Sequence, residues 1–397
     1  MVNDTFPANL AKVILFTGFA KYLTFICIFT AKMSSIHCQL NTLSLVNFKN
    51  YDQMDFRFCP KINCLAGNNG AGKTNVLDAV YYLSMTKSFL NPADSQNIRY
   101  HTDFFVIQGE YDRKGEPECI YCGIKRGQKK IFRRNRKDYE RLSEHIGLLP
   151  VVMVSPADGH LITGGSEERR KLMNEVISQY DHNYLLDMMH YNRALEQRNA
   201  LLKAFAENHS FDAEVLEAWN EQLVACGNKI YEYRTNYCRE LIPVFRQYYG
   251  EISGGCENVE LIYRSQLQEK DFAALLRESA EKDRLLQFTT SGPHKDDLLL
   301  QMDGFPIKKS GSQGQQKTFL VALKLANFDF IRAHGNIMPI LLLDDIFDKF
   351  DALRVSRIIK LVAGERFGQI FITDTGREHI EGILQQINCE YQLTVIE

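Results

Sequence analysis

Apolar and polar positions fall into two textures along this chain. Residues 40–51 alternate, with Leu40, Leu43, Leu45 and Phe48 on one side. A turn near Asp52 leads into a second alternating run through Met54, Phe56 and Phe58, which predicts a hairpin with one buried face. Residues 61–67 read as a short buried strand that runs straight into a glycine-rich loop. Over 73–83, Val76, Leu77, Val80 and Leu83 form one stripe, the mark of a helix. Residues 104–109, 118–125 and 129–132 read as further strands, and 148–156 as an apolar strand ending in a proline turn.

From 167 to 250 the apolar spacing changes to three and four residues, which predicts helices, and the glycines at 250, 254 and 255 end the run. A strand at 259–263 and a helix at 271–286 follow. After Gly292-Pro293 a strand is expected at 298–302, turning at Asp303-Gly304. A helix starts near Gly314 and runs to about Ala333, with Gly335 as the stop signal beyond it. Residues 340–344 are a wholly apolar strand ending in acid, 355–363 a helix and 369–373 a strand. No internal repeat or long heptad array is present. Strand–loop–helix units at both ends, with a helical block between, predict an α/β fold. One lobe is assembled from 33–155 and 291–397, and a helical second lobe, 156–290, is inserted.

Composition narrows the function. The 397 residues leave room for two cores, and a net charge of −2 means that any nucleic-acid contact must come from a local patch. Cys119 and Cys122 form a lone Cys-x-x-Cys with no second pair, which argues against a zinc site; unpaired cysteines fit a reducing cytoplasm. Residues 9–31 are apolar but interrupted by Lys12 and Lys21, whereas a membrane span wants about 20 apolar residues with few charges. Met33 is therefore read as the true start and 1–32 as an upstream extension.

The chemistry begins in the glycine loop. Gly67-Asn68-Asn69-Gly70-Ala71-Gly72-Lys73-Thr74 matches G-x-x-x-x-G-K-[ST] in full, between a buried strand and a helix. Glycines let backbone N–H groups surround phosphate oxygens, and the helix start adds partial positive charge. This predicts ATP binding, with Lys73 on the β- and γ-phosphates and Thr74 as a ligand of Mg²⁺. The acid that completes such a site is expected at the end of the second buried strand: Asp344 for the metal shell, Asp345 to polarise the attacking water. Catalytic roles are thus assigned to Lys73 and Asp345, and metal ligation to Thr74 and Asp344.

Ser312-Gln313-Gly314-Gln315, just before a helix, resembles the signature motif of ABC-type ATPases. In that class the motif closes over the γ-phosphate held by the opposite subunit, which makes Ser312, Gln313, Gly314 and Gln315 nucleotide contacts across a dimer. Asp348-Lys-Phe-Asp351 stands where that class has its D-loop. The gap between Lys73 and Ser312 is far longer than in transporter subunits, and suits chromosome-maintenance and repair ATPases instead.

Within that group the chain resembles the RecF family of bacterial recombination-repair ATPases. The resemblance rests on Leu43-Ser-Leu-Val-Asn-Phe-Lys-Asn-Tyr, Gly70-Ala-Gly-Lys-Thr-Asn-Val-Leu-Asp-Ala, Ser155-Pro-Ala-Asp with Gly164 and Arg169-Arg170, Ser291-Gly-Pro-His-Lys-Asp-Asp, Ser312-Gln-Gly-Gln-Gln and Leu343-Asp-Asp. It implies an ABC-type ATPase head, a cytoplasmic location, ATP-dependent dimerisation, and binding of single- and double-stranded DNA, notably at gaps. It also implies recombinase loading with the RecO and RecR mediators, and ties to replication, repair and the SOS response. Two departures from the ABC pattern stand out: Thr373-Asp374 occupies the place of the switch histidine, and Asp345 that of a catalytic glutamate. Both suggest slow hydrolysis suited to a timed switch. Gln108 is the candidate for the Q-loop glutamine.

The best local patch for DNA is 125–141, with nine Lys or Arg (125, 126, 129, 130, 133, 134, 136, 137, 141) against Asp138 and Glu140. Within it, Lys129, Lys130, Arg133, Arg134, Arg136 and Lys137 are the DNA-binding candidates, with Phe132 and Tyr139 interleaved. The rival reading is an ABC-type ATPase subunit that energises a membrane partner; the long insertion and the basic hairpin argue against it.

Overall fold

A computed structural model describes residues 37–255, 257–347, 350–375, 381, 382, 384 and 389–397. The expectations for 1–32, Met33, Asp348 and Lys349 lie outside the described residues.

In chain order the elements are β1 (Cys38–Phe48), β2 (Tyr51–Arg57), β3 (Ile62–Ala66), α1 (Lys73–Met85), β4 (Phe104–Arg113), β5 (Glu116–Lys125), β6 (Ile131–Arg134), β7 (Lys137–Asp138) and β8 (Val151–Val154). Helices α2 (Ser166–Tyr180), α3 (His182–Glu207) and α4 (Ala213–Ser253) follow, then β9 (Val259–Arg264) and α5 (Phe272–Leu286). The return segment carries β10 (Asp297–Met302), β11 (Phe305–Pro306), α6 (Gln313–Gly335), β12 (Ile340–Asp344), α7 (Ala352–Ala363), β13 (Ile370–Asp374) and β14 (Tyr391–Val395).

Both ends of the chain build the central sheet. Its order is β14-β3-β13-β12-β8, and every pair in it is parallel. The apolar run of β12 follows from this position. Leu341 and Leu343 face one core, shared with α6, while Ile340 and Leu342 face the other, shared with α1. A sheet covered on both faces leaves no polar side to alternate with. The second core is closed by an antiparallel sheet, β2-β1-β4-β5-β6-β7, where alternation returns. Gln369 stitches the two sheets together: buried, its amide donates to the carbonyls of Leu40 and Cys59 and accepts from Leu40 N–H, at 2.8–2.9 Å.

The inserted lobe is a hairpin of α3 and α4, started by Asp181 and Asp212, whose carboxylates cap the first turns. α4 packs on α6 through Phe245 and Phe319, with ring centroids 4.6 Å apart, and through Tyr237 donating to Asn327 at 2.7 Å. Two buried ion pairs, Arg234–Asp296 at 2.7 Å and Arg198–Asp283 at 2.8 Å, bind α4 to the residue just before β10 and α3 to α5. Further hydrogen bonds surround each pair, from Arg198 to Thr289 and from Arg234 and Tyr263 around Asp296, although Arg198 Nη2 and Asp296 Oδ1 have no hydrogen-bond partner among the described residues.

Three boundaries differ from the pattern reading. Gly250 lies inside α4, and the helix ends at Gly254, with φ 93°. Gly335 likewise stays helical, and Asn336 takes the left-handed cap at φ 55°. Glycine in a helix is only mildly unfavourable, and at Gly250 the buried Tyr248, Tyr249 and Ile252 carry the helix through. β14, unheralded in the sequence because its residues are only partly buried, adds an edge strand beside β3.

Candidate nucleotide site

The glycine loop joins β3 to α1 and is gripped from three sides. Gly72 is the N-cap of α1 at φ 110°, and a Cβ there would lie 2.5 Å from Asn50 Nδ2 and 2.9 Å from the Tyr51 hydroxyl. Glycine is therefore required twice over, for its backbone angle and for the approach of the β1–β2 turn. That turn clamps the loop: Asn50 donates to Ala71 O at 3.0 Å, Tyr51 to Gly72 O at 3.2 Å, and Asn75 donates to Asn50 Oδ1 at 2.7 Å. From the far side, the Ile396 carbonyl would sit 2.2 Å from a Cβ on Gly67. Lys73 is almost enclosed, its ammonium donating to the carbonyls of Gly67 and Asn68 at 2.7 and 2.8 Å.

β12 delivers Asp344 to the same place. Its Oδ1 accepts from Thr74 Oγ1 and from Thr373 Oγ1, both at 2.8 Å. Burial pushes the Asp344 carboxyl above its ordinary range; hydrogen bonds from the two threonines and the charge of Lys73 act against that, and neighbouring Asp345 adds to it. A hydroxyl and a carboxylate in direct contact, both hard oxygen donors, fit a magnesium ion. Asp345 follows in a left-handed conformation, φ 46°, with its N–H donating to Thr373 Oγ1 at 2.9 Å. It lines a cavity of about 180 Å³ together with Ser155, Gln313, Gln316, Lys317 and Phe350.

Residues 312–315 open α6. Ser312 and Gln315 cap each other: Gln315 N–H donates to Ser312 Oγ at 3.3 Å, and Ser312 N–H donates to the Gln315 side chain at 2.8 Å. The Gln315 amide then donates to Glu257 at 3.0 Å, just beyond the end of α4. Ser312 and Gln313 are exposed, and Gly314 lies against Arg354. Among the described residues, no hydrogen bond joins 67–74 to 312–315. In the segment that follows, Phe350 and Asp351 are described, and Asp351 caps α7 by accepting from Arg354 N–H at 2.9 Å.

Two expectations change. Gln108 sits in mid-β4, opposite Ser44 and Tyr121. Its neighbour Ile107 faces the core that holds α1, so strand alternation turns Gln108 away from the loop and removes it as the Q-loop residue. In the basic segment the hairpin is formed by β6 and β7, turning at Asn135 and Arg136, and fewer cations are available than the sequence counts. Lys130 donates to Thr86 O at 2.7 Å and pairs with Asp94 at 2.8 Å; Arg134 forms a fork with buried Glu118; Arg133 pairs with Asp138 at 2.8 Å. Lys129, Arg136 and Lys137 are exposed and, among the described residues, have no acid within ion-pair distance. Sequence reasoning missed Asn50, Tyr51 and Thr373 as partners of the site, although Asn50 and Tyr51 lie at the turn of the first predicted hairpin. It also missed the buried Lys49–Asp78 pair, 2.5 Å, at the base of α1.

Comparisons with known proteins show the family and the fold. The family model described as RecF/RecN/SMC N terminal domain matches residues 39–393. A DNA replication and repair protein RecF from Phocaeicola vulgatus is 53% identical over 360 residues, covering 90% of this chain and 96% of that protein. One of the same name from Flavobacterium johnsoniae is 50% identical over 354 residues, covering 89% and 99%. Among solved structures, the recombination mediator protein RecF-ATPrS of the RecFOR pathway superposes with a TM-score of 0.80 at 29% identity, over 91% of this chain and 96% of that one. The Smc head domain from Pyrococcus furiosus, at 16% identity and a TM-score of 0.52 over 87% and 92%, shares the fold. No helix among the described residues is long and apolar enough to cross a membrane.

Proposed function

The chain belongs to the RecF family of DNA replication and repair proteins, and from that premise we propose that it is an ATP-gated DNA clamp in recombinational repair. ATP enters the 67–74 loop, whose amides surround the phosphates while Lys73 leaves its two carbonyl partners for the β- and γ-oxygens. Thr74 and Asp344 hold the magnesium ion, which neutralises phosphate charge when bound. Asp345 orients the attacking water. Two protomers close face to face, each presenting Ser312, Gln313, Gly314 and Gln315 to the other's γ-phosphate. The closed dimer grips single-stranded DNA and duplex at gaps, and loads recombinase with RecO and RecR; slow hydrolysis opens it. This cycle belongs in the cytoplasm.

The observation that carries this reading is the division of the site. Thr74 and Asp344 meet within one chain, while 312–315 cap the start of α6, with Ser312 and Gln313 exposed and, among the described residues, no hydrogen bond to the chain's own loop. Light scattering with ATP, with and without gapped DNA, tests it. ATP should double the mass, and Lys73→Arg should still bind ATP and dimerise but fail to hydrolyse it. A chain that stays monomeric with ATP and DNA, or an ATPase indifferent to DNA, sinks the clamp. Exposed Lys129, Arg136 and Lys137 form the phosphate-tracking edge. Reversing their charge should weaken DNA binding and flatten its salt dependence by about one unit of slope per lost contact.

A further inference from the structure

Thr373 stands beside the end of β12, directly opposite Asp344 in the parallel register. Its side chain is fully buried. Two of its three bonding positions are accounted for: Oγ1 donates to Asp344 Oδ1 at 2.8 Å and accepts the Asp345 N–H at 2.9 Å. The direction follows from chemistry, because an ionised carboxylate can only accept, so the one hydroxyl proton goes to Asp344 and a lone pair is left for the amide. Asp345 itself is left-handed, φ 46°, a conformation that costs a residue with a Cβ roughly 1–2 kcal/mol. A buried bond from its own amide is what holds it there. The same hydroxyl therefore fixes the two acids relative to each other, on the strand that ends where ABC-type enzymes carry a histidine.

From these contacts we infer that Thr373 is a positioning residue for hydrolysis: its hydroxyl locks the Asp345 backbone in the left-handed turn that aims the Asp345 carboxylate. It does this without touching the nucleotide. This rests on the reading of Asp345 as the acid that orients water. Valine has the shape of threonine and neither hydrogen bond; serine keeps both and loses a methyl group.

The test uses the full chain with ATP, Mg²⁺ and gapped DNA, comparing Thr373→Val, Thr373→Ser and Asp345→Asn in single-turnover hydrolysis and ATP binding. Thr373→Val should lower kcat by about 10- to 100-fold with ATP affinity held within about threefold. Excess Mg²⁺ should not restore it. Thr373→Ser should return kcat to within about threefold of the parent. Amide hydrogen exchange at Asp345 should speed up in the valine variant and not in the serine variant. Should the valine variant fail to fold, Thr373→Cys, a much weaker acceptor, is judged on the same criteria. Unchanged kcat in Thr373→Val beside an inactive Asp345→Asn overturns the inference and leaves the reading of Asp345 intact. A fully active Asp345→Asn removes that reading and the inference with it. Rescue of Thr373→Val by Mg²⁺ also overturns it, because the hydroxyl then serves Asp344 alone.

Discussion

The glycine loop 67–74 and the helix start 312–315, the two parts of the proposed site, are held in opposite ways. Around 67–74, five separate stretches of chain converge: β3, the β1–β2 turn through Asn50 and Tyr51, β12 through Asp344, β13 through Thr373, and Ile396 near the C-terminus. Around 312–315 the helix caps itself, and the Gln315 amide donates to Glu257. The first half is preorganised, so little reorganisation is needed when a polyphosphate arrives. The second is a presented surface whose orientation follows α6, which in turn is packed against α4 of the inserted lobe.

The sharpest way to break this contrast is to remove a tether from the preorganised half. Asp344→Ala should cut Mg²⁺-dependent hydrolysis by about 100- to 1,000-fold, read as phosphate release, since it deletes the carboxylate and orphans two hydroxyls. Retention of a tenth of the activity would place the metal shell elsewhere.

Acid should loosen both supports. His145, behind α1, donates through Nε2 to Leu83 O and accepts from Tyr139 through Nδ1; His294, under the inserted lobe, does the same with Thr289 O and Tyr191. Burial, the largest cause in each, pushes both imidazoles down to about 4. The folded pKa lies below the unfolded one, so the neutral ring's stability is fully present above pH ~6.5 and drains away as pH falls toward 4. The loss is on the order of 3 kcal/mol for each ring, and denaturant titrations between pH 7 and 4 measure it. His145→Gln should flatten one part of that slope, and an unchanged slope would remove His145 from the account.

Glycine substitutions separate tethering from backbone strain. Gly70 and Gly72 both have positive φ, but a Cβ on Gly70 meets nothing within 4 Å. Gly70→Ala should cost about 1 kcal/mol, and Gly72→Ala about 2–4, because the Asn50–Tyr51 clamp must also yield. Equal shifts in thermal midpoint would show that the clamp bears no load. A stability effect no larger than that of Gly70→Ala is expected at the presented half. Ser312→Ala removes a cap worth about 1 kcal/mol and should leave ATP affinity of the monomer unchanged while weakening ATP-induced association. A variant that binds ATP less well as a monomer would instead place Ser312 in its own chain's site.

How much of this was readable in the sequence follows the same division. The 67–74 loop is contiguous, and each residue type has its own physical reason, so it could be read directly. Asp344 was legible because a five-residue apolar strand buried on both faces ends in acid. Thr373 was visible only as something missing, the absent histidine; its bonds to Asp344 and Asp345 exist because β12 and β13 happen to be in register. Asn50 and Tyr51 were passed over for a similar reason, since their partners lie 21 residues on and are met only when the sheet folds over the loop. The charge of 125–141 was legible and its availability was not, because Glu118 and Asp94, which take up Arg134 and Lys130, lie outside that window.

β3, which carries the loop, has β13 on one side and β14 on the other. Both neighbours, Ile370–Asp374 and Tyr391–Val395, lie far along the chain from Ile62–Ala66. A nascent chain, or one cut short after residue 369, holds the complete glycine loop and has neither flank of the strand that presents it, nor the Thr373 hydroxyl. Pairings this distant in sequence form late and depend on the whole chain being present. Presentation of the glycine loop is thereby tied to strands made long after the loop itself, so a fragment that ends before them carries the motif without the sheet that positions it.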